Sequence, residues 1–225
     1  MLKINVDPPP RIAPSPLEDF LLKHGIVHGQ WDLILFGDGS GLNWDIGGGY
    51  AAVLIDGRKG IRSHVVGAQT LATVNRMELS AYTSILGYHH EFILDGKVTD
   101  PPYRTFIFTD SEFTAKAGRR EVALRKNLDL WQLIHWFELR GYRFTWRWVP
   151  RNSTPFHELC DYLAGTARHV INELNTDGPK LHALMPYTAT IVDSNELSVC
   201  PVCKTPLSSV DADCPICGPQ QQAQA

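Results

Sequence analysis

Four acidic residues stand where they could hold divalent cations together. Asp38 and Asp110 each follow an apolar run, Glu78 opens a segment of helical periodicity, and Asp161 lies in a later one. A carboxylate at the end of a buried strand is costly unless something binds it. Four converging carboxylates would suit a hard cation such as Mg²⁺. Two such ions can clamp the attacking and leaving oxygens of a phosphodiester.

Each of these acids also has a purely structural interpretation. Asp38 could form an Asp-Gly turn, and Glu78 could be a surface charge that suits the dipole at a helix start. Asp110 could cap a helix, and Asp161 could be an exposed helix residue. Taken with their flanking residues, the four acids fit a shared site better than four unrelated roles.

The segments around these acids resemble the type 1 ribonuclease H family, whose members cut the RNA strand of RNA–DNA hybrids. The resemblance runs from about Trp31 to about Val170. In chain order, the matching segments are Asp38–Ser40 with Gly47–Leu54, Asn75–Leu79, Thr109–Ser111, Asn127–Trp131 and Trp146–Val149. Each segment alone is a weak pattern, whereas their order and spacing are specific.

The resemblance implies an α/β fold, with a mixed five-stranded sheet flanked by helices, and an endoribonuclease with a two-metal-ion mechanism. It implies that two Mg²⁺ ions, or Mn²⁺ as a substitute, are held by Asp38, Glu78, Asp110 and Asp161. The residues expected to contact an RNA–DNA hybrid are Ser40, Gly41, Asn43, Asn75 and Arg76.

Two alternatives keep the fold and change the function. One is a nuclease that acts on another nucleic acid, as the related junction resolvases and transposase-type nucleases do. The other is a non-catalytic module that binds nucleic acid or protein. The second predicts the loss of at least one acid, and all four are present. The segments Asn75–Leu79 and Trp148–Val149 favour ribonuclease H over the DNA nucleases.

Two positions depart from the family's pattern. Many relatives have a mobile histidine in the loop after the last strand, and Asn152 stands nearest to that position here. An amide cannot take up a proton near neutral pH as imidazole can. His157 lies four residues before Asp161, where relatives often have asparagine. It could assist the chemistry, orient Glu158 or face the substrate groove.

The positive charge of the chain is concentrated in one stretch, although the net charge is −3. Residues 116–151 contain nine Lys and Arg against three Asp and Glu, which gives +6. Such a stretch can contact phosphates, or it can be an ordinary solvated helix face. Only sixteen residues separate Asp110 from Asn127, so the extended basic insertion of some relatives is absent.

Local sequence patterns predict five strands and four main helices. The strands are Leu33–Gly37, Gly49–Ile55, Ile61–Ala68, Tyr103–Thr109 and Gly141–Val149. The helices are Val74–Glu91, Ser111–Ala117, Leu128–Arg140 and Pro155–Leu174, with a shorter candidate at Leu17–His24. We expect a Pro-rich leader (1–30), a nuclease domain (31–174), a linker (175–198), a zinc ribbon (199–218) and a disordered tail (219–225).

The 225 residues, 44% of them hydrophobic, suffice for one domain and a small module. No apolar run approaches the roughly 18–20 residues of a membrane span. The first residues lack the apolar stretch of a signal peptide. We therefore expect a soluble, cytoplasmic monomer without membrane contact.

Five cysteines divide into a group of four and a single residue. Cys200 and Cys203 form one C-x₂-C pair, and Cys214 and Cys217 form another. Two such pairs suit a tetrahedral structural Zn²⁺ site, and disulfides are the alternative, which an intracellular location disfavours. A ribbon of this size would need the metal to fold, and it could contact a protein partner. Cys160 is expected to be a small buried residue.

Overall fold

The computed structural model describes residues 17–27, 29–41, 47–70, 72–151, 153–176 and 188–192. Its strands are β1 (Leu33–Ser40), β2 (Gly48–Asp56), β3 (Ile61–Gln69), β4 (Tyr103–Thr109), β5 (Tyr142–Trp148) and β6 (Thr188–Val192). Its helices are α1 (Leu17–Lys23), α2 (Val74–Tyr88), α3 (Glu112–Gly118), α4 (Leu128–Leu139) and α5 (Pro155–Thr176). A π-helical turn at His89–Ile93 extends α2.

The six strands form one mixed sheet in the order β5-β4-β1-β2-β3-β6. The first three strands form an antiparallel meander, whereas β4 and β5 run parallel to β1. The ends of β1 and β4 therefore meet at one edge of the sheet, where Asp38 and Asp110 lie. No helix of the described part is long and apolar enough to cross a membrane.

Side chains that alternate along the strands build a core on each face of the sheet. On β1, Leu33 and Leu35 pack with α2 and α4, whereas Ile34 and Phe36 pack with α1 and α5. All four side chains are fully buried. Successive side chains of a strand point to opposite faces, so a continuous apolar run fits a strand covered on both faces.

The sequence predicted the order of the main elements correctly, and the structure corrects it at both ends of the predicted nuclease domain. The segment predicted as a linker contributes β6, which pairs with β3 from His64↔Val192 to Ala68↔Thr188. The helix candidate at Leu17–His24 is observed as α1, and its residues Leu17, Phe20 and Leu21 are buried in the core on the α5 face, so this part of the predicted leader packs with the domain. Both additions depend on contacts between distant parts of the chain.

Helix α1 covers the strands that lead to the acidic residues. The Phe20 ring lies 5.0 Å from the Phe108 ring and 5.7 Å from the Phe36 ring, measured between centroids. Phe36 precedes Asp38 by two residues, and Phe108 precedes Asp110 by two. Aromatic pairs at these separations add stability beyond that of their buried area. The helix therefore supports the two strand ends from one face.

We expect Phe20→Ala to lower the free energy of unfolding by about 2–4 kcal/mol, because it leaves a cavity over β1 and β4. Urea denaturation followed by circular dichroism measures the change. Leu22→Ala is the matched control, since Leu22 lies on the same helix with 63% of its surface exposed. A loss no larger than that of the control would show that α1 is not part of the core.

Candidate active site

Asp38, Glu78 and Asp110 converge at the edge of the sheet where β1 and β4 end. One carboxylate oxygen of each lies within 4.8 Å of the others. Asp38 and Glu78 are buried, and Asp110 is partly buried. These three residues come from β1, α2 and the end of β4. Three of the four acids that the sequence predicted to converge therefore lie together.

Glycine at position 39 lets α2 approach β1 closely. A Cβ atom on Gly39 would lie 2.2 Å from the backbone nitrogen of Glu78, so any other residue would push the helix away. Thr73 caps α2, since the Arg76 N–H donates to its Oγ1 at 3.3 Å. The cap and the missing side chain together bring Glu78 beside Asp38.

Tyr82 ties α2 to both strands that carry aspartates. Its hydroxyl lies 3.0 Å from the Gly37 carbonyl oxygen and 2.9 Å from the Phe108 carbonyl oxygen. Tyr82 is fully buried and stands one helical turn after Glu78. One side chain therefore fixes the spacing between the elements that supply the three carboxylates. In the sequence, the only signal for this role is a tyrosine four residues after Glu78.

His157 attaches α5 to the same strand end, and the structure shows that it does not face a substrate groove. The residue is only 3% exposed. Its Nε2 lies 3.2 Å from the Phe108 carbonyl oxygen, which can only accept, so Nε2 carries the proton. Its Nδ1 lies 3.3 Å from Thr154 Oγ1. Burial lowers the pKa of His157 to about 4, so the ring is neutral near pH 7.

The charges of the three acids repel one another, and the pKa of each acid is raised. Burial, followed by the charges of Asp110 and Asp161, raises the pKa of Asp38 to about 7. Burial and the charges of Asp38 and Asp110 raise the pKa of Glu78 well above its usual value. Burial also raises the pKa of Asp110, against the opposing effect of Arg151. Like charges in a desolvated site shift pKa values in this direction.

The donor set fits divalent cations. Asp38 Oδ2 and Glu78 Oε2 are buried without a hydrogen-bond partner among the described residues. Buried polar atoms normally have partners, and carboxylate oxygens are the ligands that Mg²⁺ prefers in proteins. A bound cation would supply the missing partner and offset the repulsion within the cluster.

Asp161 stands at the rim of this cluster. The charge of Asp161 contributes to the raised pKa of Asp38, although Asp161 is not one of the three acids whose oxygens lie within 4.8 Å of one another. The Asp161 side chain is 43% exposed, and its Oδ1 contacts Arg151 Nη2. Arg151 is not among the residues that the sequence predicted for the site. Its only signal was membership of the basic stretch.

Comparison with known proteins agrees with this geometry. The RNase H family model matches residues 30–169. The chain belongs to the RNase H family. It is 32% identical over 150 residues to Ribonuclease H of Aeromonas hydrophila, covering 59% of this chain and 87% of that protein. It is 29% identical over 143 residues to Ribonuclease HI of Helicobacter pylori, covering 59% of this chain and 90% of that protein.

A solved structure of the RNase H family supports the fold. The N-terminal RNase H domain of a Mycobacterium tuberculosis protein, solved as a fusion with maltose-binding protein, has a TM-score of 0.51 to this chain. The two are 20% identical, and the match covers 64% of this chain and 98% of that one. At this identity the likeness concerns the fold alone.

Of the residues predicted to contact the hybrid, Ser40 and Gly41 lie at the end of β1, and Asn75 and Arg76 lie at the start of α2. A Cβ atom on Gly41 would lie 3.3 Å from Val74 at the helix start, and Ser40 ends β1. The Arg76 guanidinium pairs with the Asp129 carboxylate at 2.6 and 3.1 Å, which joins α2 to α4. Asn43, Asn152 and the four ribbon cysteines lie outside the described residues. Cys160 is fully buried, as predicted.

A groove beside these residues has a basic wall. Its volume is about 430 Å³. Its lining residues include Thr73, Asn75, Arg125, Lys126 and Asn127. Elsewhere in the basic stretch, Lys116, Arg119 and Arg120 pair with glutamates. The charge that faces this groove is therefore smaller than the sequence total of the stretch.

In the absence of divalent cations, we expect Asp38→Asn to stabilise the protein increasingly from pH 5 to pH 8. The raised pKa of Asp38 means that the native state holds a proton which the unfolded chain loses above about pH 4. Native stability therefore falls as pH rises toward 7, and the penalty is fully present above it. Asparagine removes the charge and keeps the acceptor for the Gly39 N–H.

Urea titrations in EDTA at four pH values test this expectation. The gain should reach about 1–3 kcal/mol at pH 8 and nearly vanish at pH 4–5. Asp19→Asn, at an exposed position on α1, is the control for a general loss of one negative charge. A gain independent of pH would contradict the assignment of the strain to Asp38.

Proposed function

We propose that this protein is a metal-dependent endoribonuclease that hydrolyses the RNA strand of RNA–DNA hybrids. The convergence of Asp38, Glu78 and Asp110 at one sheet edge, in a member of the RNase H family, carries this proposal. A binding module without catalysis would have no need for buried carboxylates that repel one another. All four predicted acids contribute to one electrostatic cluster.

In this proposal the four carboxylates hold two Mg²⁺ ions, or Mn²⁺ as a substitute. Asp38, Glu78 and Asp110 would form the inner part of the site, and Asp161 would join from α5. The bound cations would supply Lewis-acid stabilisation to the attacking and leaving oxygens. The protein itself supplies position, because Tyr82 and His157 fix the elements that carry the acids.

We propose that the surface beside the site contacts both strands of a hybrid. Ser40, Gly41, Asn43, Asn75 and Arg76 are proposed to contact the hybrid. Proteins distinguish RNA from DNA by the 2′-hydroxyl, which RNA-containing helices display in a wide minor groove. Arg125 and Lys126 line the neighbouring groove and suit backbone phosphates. Asn152 remains a candidate for proton transfer or product release.

The direct test is cleavage of labelled RNA–DNA hybrid, double-stranded RNA, double-stranded DNA and single-stranded RNA, each with Mg²⁺ and with EDTA. We expect cleavage of the hybrid alone, within its RNA strand and only with Mg²⁺. Cleavage of duplex DNA at a comparable rate would instead favour a DNA nuclease of the same fold. Absence of cleavage, with Mg²⁺-independent binding of the hybrid, would favour a binding module.

We expect Asp110→Asn to lower hybrid cleavage at saturating Mg²⁺ by at least about a hundredfold, because it removes a charge that stabilises the cations. Asp95→Asn is the matched control. Its side chain is 84% exposed, and asparagine tolerates the left-handed backbone found there. Cleavage by Asp110→Asn at the wild-type rate would contradict the assignment of this acid to the metal site.

We also propose that Cys200, Cys203, Cys214 and Cys217 hold one structural Zn²⁺ ion. The repeated C-x₂-C spacing supports a tetrahedral thiolate site. From Val199 to Ala225 the charged residues are Lys204, Asp211 and Asp213, which give −1. Phosphate binding needs clustered positive charge, so this segment suits a protein partner better than a hybrid.

We expect truncation after Asn195 to remove one Zn²⁺ per chain and to leave hybrid cleavage nearly normal. The truncated chain retains all described elements, since β6 ends at Val192. Mass spectrometry of metal content, steady-state kinetics on short hybrids and a thermal melt are the measurements. A large rise in KM for the hybrid, in a truncated protein that remains folded, would show that the ribbon binds substrate.

A further inference from the structure

A cation of the protein itself lies at the opening of the carboxylate cluster. Arg151 Nη2 contacts Asp161 Oδ1, and Arg151 Nε lies 3.9 Å from Asp110 Oδ2. Asp110 belongs to the inner cluster and Asp161 to its rim. One guanidinium therefore spans two of the four acids that are proposed to bind metal.

The turn that carries Arg151 is fixed on both sides to the end of β4. Before it, the Val149 N–H donates to the Thr109 carbonyl oxygen at 2.9 Å, and Val149 is fully buried. After it, the buried Thr154 accepts the His157 N–H at 3.0 Å, and the His157 ring reaches Phe108. The backbone of Arg151 is thus held beside Asp110 by the fold.

We propose that Arg151 is a positioning residue: its guanidinium holds the Asp161 carboxylate beside Asp110 as a resident counter-ion, and a divalent cation displaces it when the metal site fills. This inference rests on the proposed function, because it assigns the metal to the same carboxylates.

The charges of the cluster explain why such a counter-ion is useful. The carboxylate oxygens of Asp38, Glu78 and Asp110 lie within 4.8 Å of one another and repel one another strongly where water is excluded. A guanidinium presents donors in a rigid planar fork and can contact two carboxylates at once. Arg151 therefore offsets part of the repulsion before metal binds. Asp161, being 43% exposed, could otherwise turn away into solvent.

The same placement makes Arg151 a competitor of the metal. A divalent ion bound between Asp110 and Asp161 would repel a guanidinium at that place. The Arg151 side chain is 66% exposed, so it can move into solvent when displaced. Exposed ion pairs contribute little free energy. The competition should therefore weaken metal binding by a small factor, without preventing it.

Binding of Mn²⁺ without substrate, followed through the electron paramagnetic resonance signal of free Mn²⁺, tests the inference. We expect Arg151→Ala to bind Mn²⁺ about two- to fivefold more tightly than wild type, and Arg151→Lys to lie between them. Arg147→Ala is the control for charge. It removes an exposed arginine that has no carboxylate partner among the described residues, and its Mn²⁺ affinity should match that of wild type.

A thermal melt supplies a second measurement. In EDTA, Arg151→Ala should melt below wild type, because the repulsion is then unscreened. Saturating Mn²⁺ should raise its melting temperature by more than that of wild type. A stabilising surface contact unrelated to the site would lower both melts equally and leave the Mn²⁺ affinity unchanged.

The outcomes separate this inference from the proposed function. Wild type that binds Mn²⁺ and cleaves hybrid, with Arg151→Ala binding Mn²⁺ no more tightly, would overturn the role of Arg151 alone. Wild type that neither binds Mn²⁺ nor cleaves hybrid would overturn both. Tighter binding by Arg151→Ala, an intermediate Arg151→Lys and an unchanged Arg147→Ala are the results expected if the inference is correct.

Discussion

Mutual repulsion among Asp38, Glu78 and Asp110 is the constraint that the surrounding structure has to meet. Their oxygens lie within 4.8 Å of one another in a largely buried site. Burial removes the water that would screen these charges. The acids stay together because the elements that carry them are joined by bonds that do not involve the carboxylates. The Phe108 carbonyl is the centre of this arrangement, since Tyr82 from α2 and His157 from α5 both reach it.

Aromatic packing on the face of the sheet that α1 and α5 cover supports that junction. Beneath the site, the Phe36 ring stacks on Phe108 at 5.2 Å and on Phe156 at 4.8 Å. Phe20 of α1 closes the same core from the N-terminal side. Close-packed interiors transmit small displacements. A shift of any of these rings would therefore move the strand ends that position Asp38 and Asp110.

The site gives up stability for function. Carboxyl groups with raised pKa values oppose folding at neutral pH, and a bound cation would return that free energy because it binds only the native arrangement. In the metal-free protein, the Arg151 guanidinium screens the charges of the acids. Because its side chain is 66% exposed, a bound cation can displace it. Active sites commonly combine such local instability with a well-packed surrounding structure.

The sequence by itself predicted the order of the main elements and the convergence of Asp38, Glu78 and Asp110. These predictions follow from local properties, such as the apolar runs before Asp38 and Asp110. The packing of α1, the pairing of β6, the inward direction of His157 and the placement of Arg151 were decided only by the tertiary structure. Each depends on partners far along the chain, as in the contact of Phe20 with Phe108. Local sequence patterns do not indicate such partners, because the burial of side chains and the pairing of strands arise only when the sheet assembles.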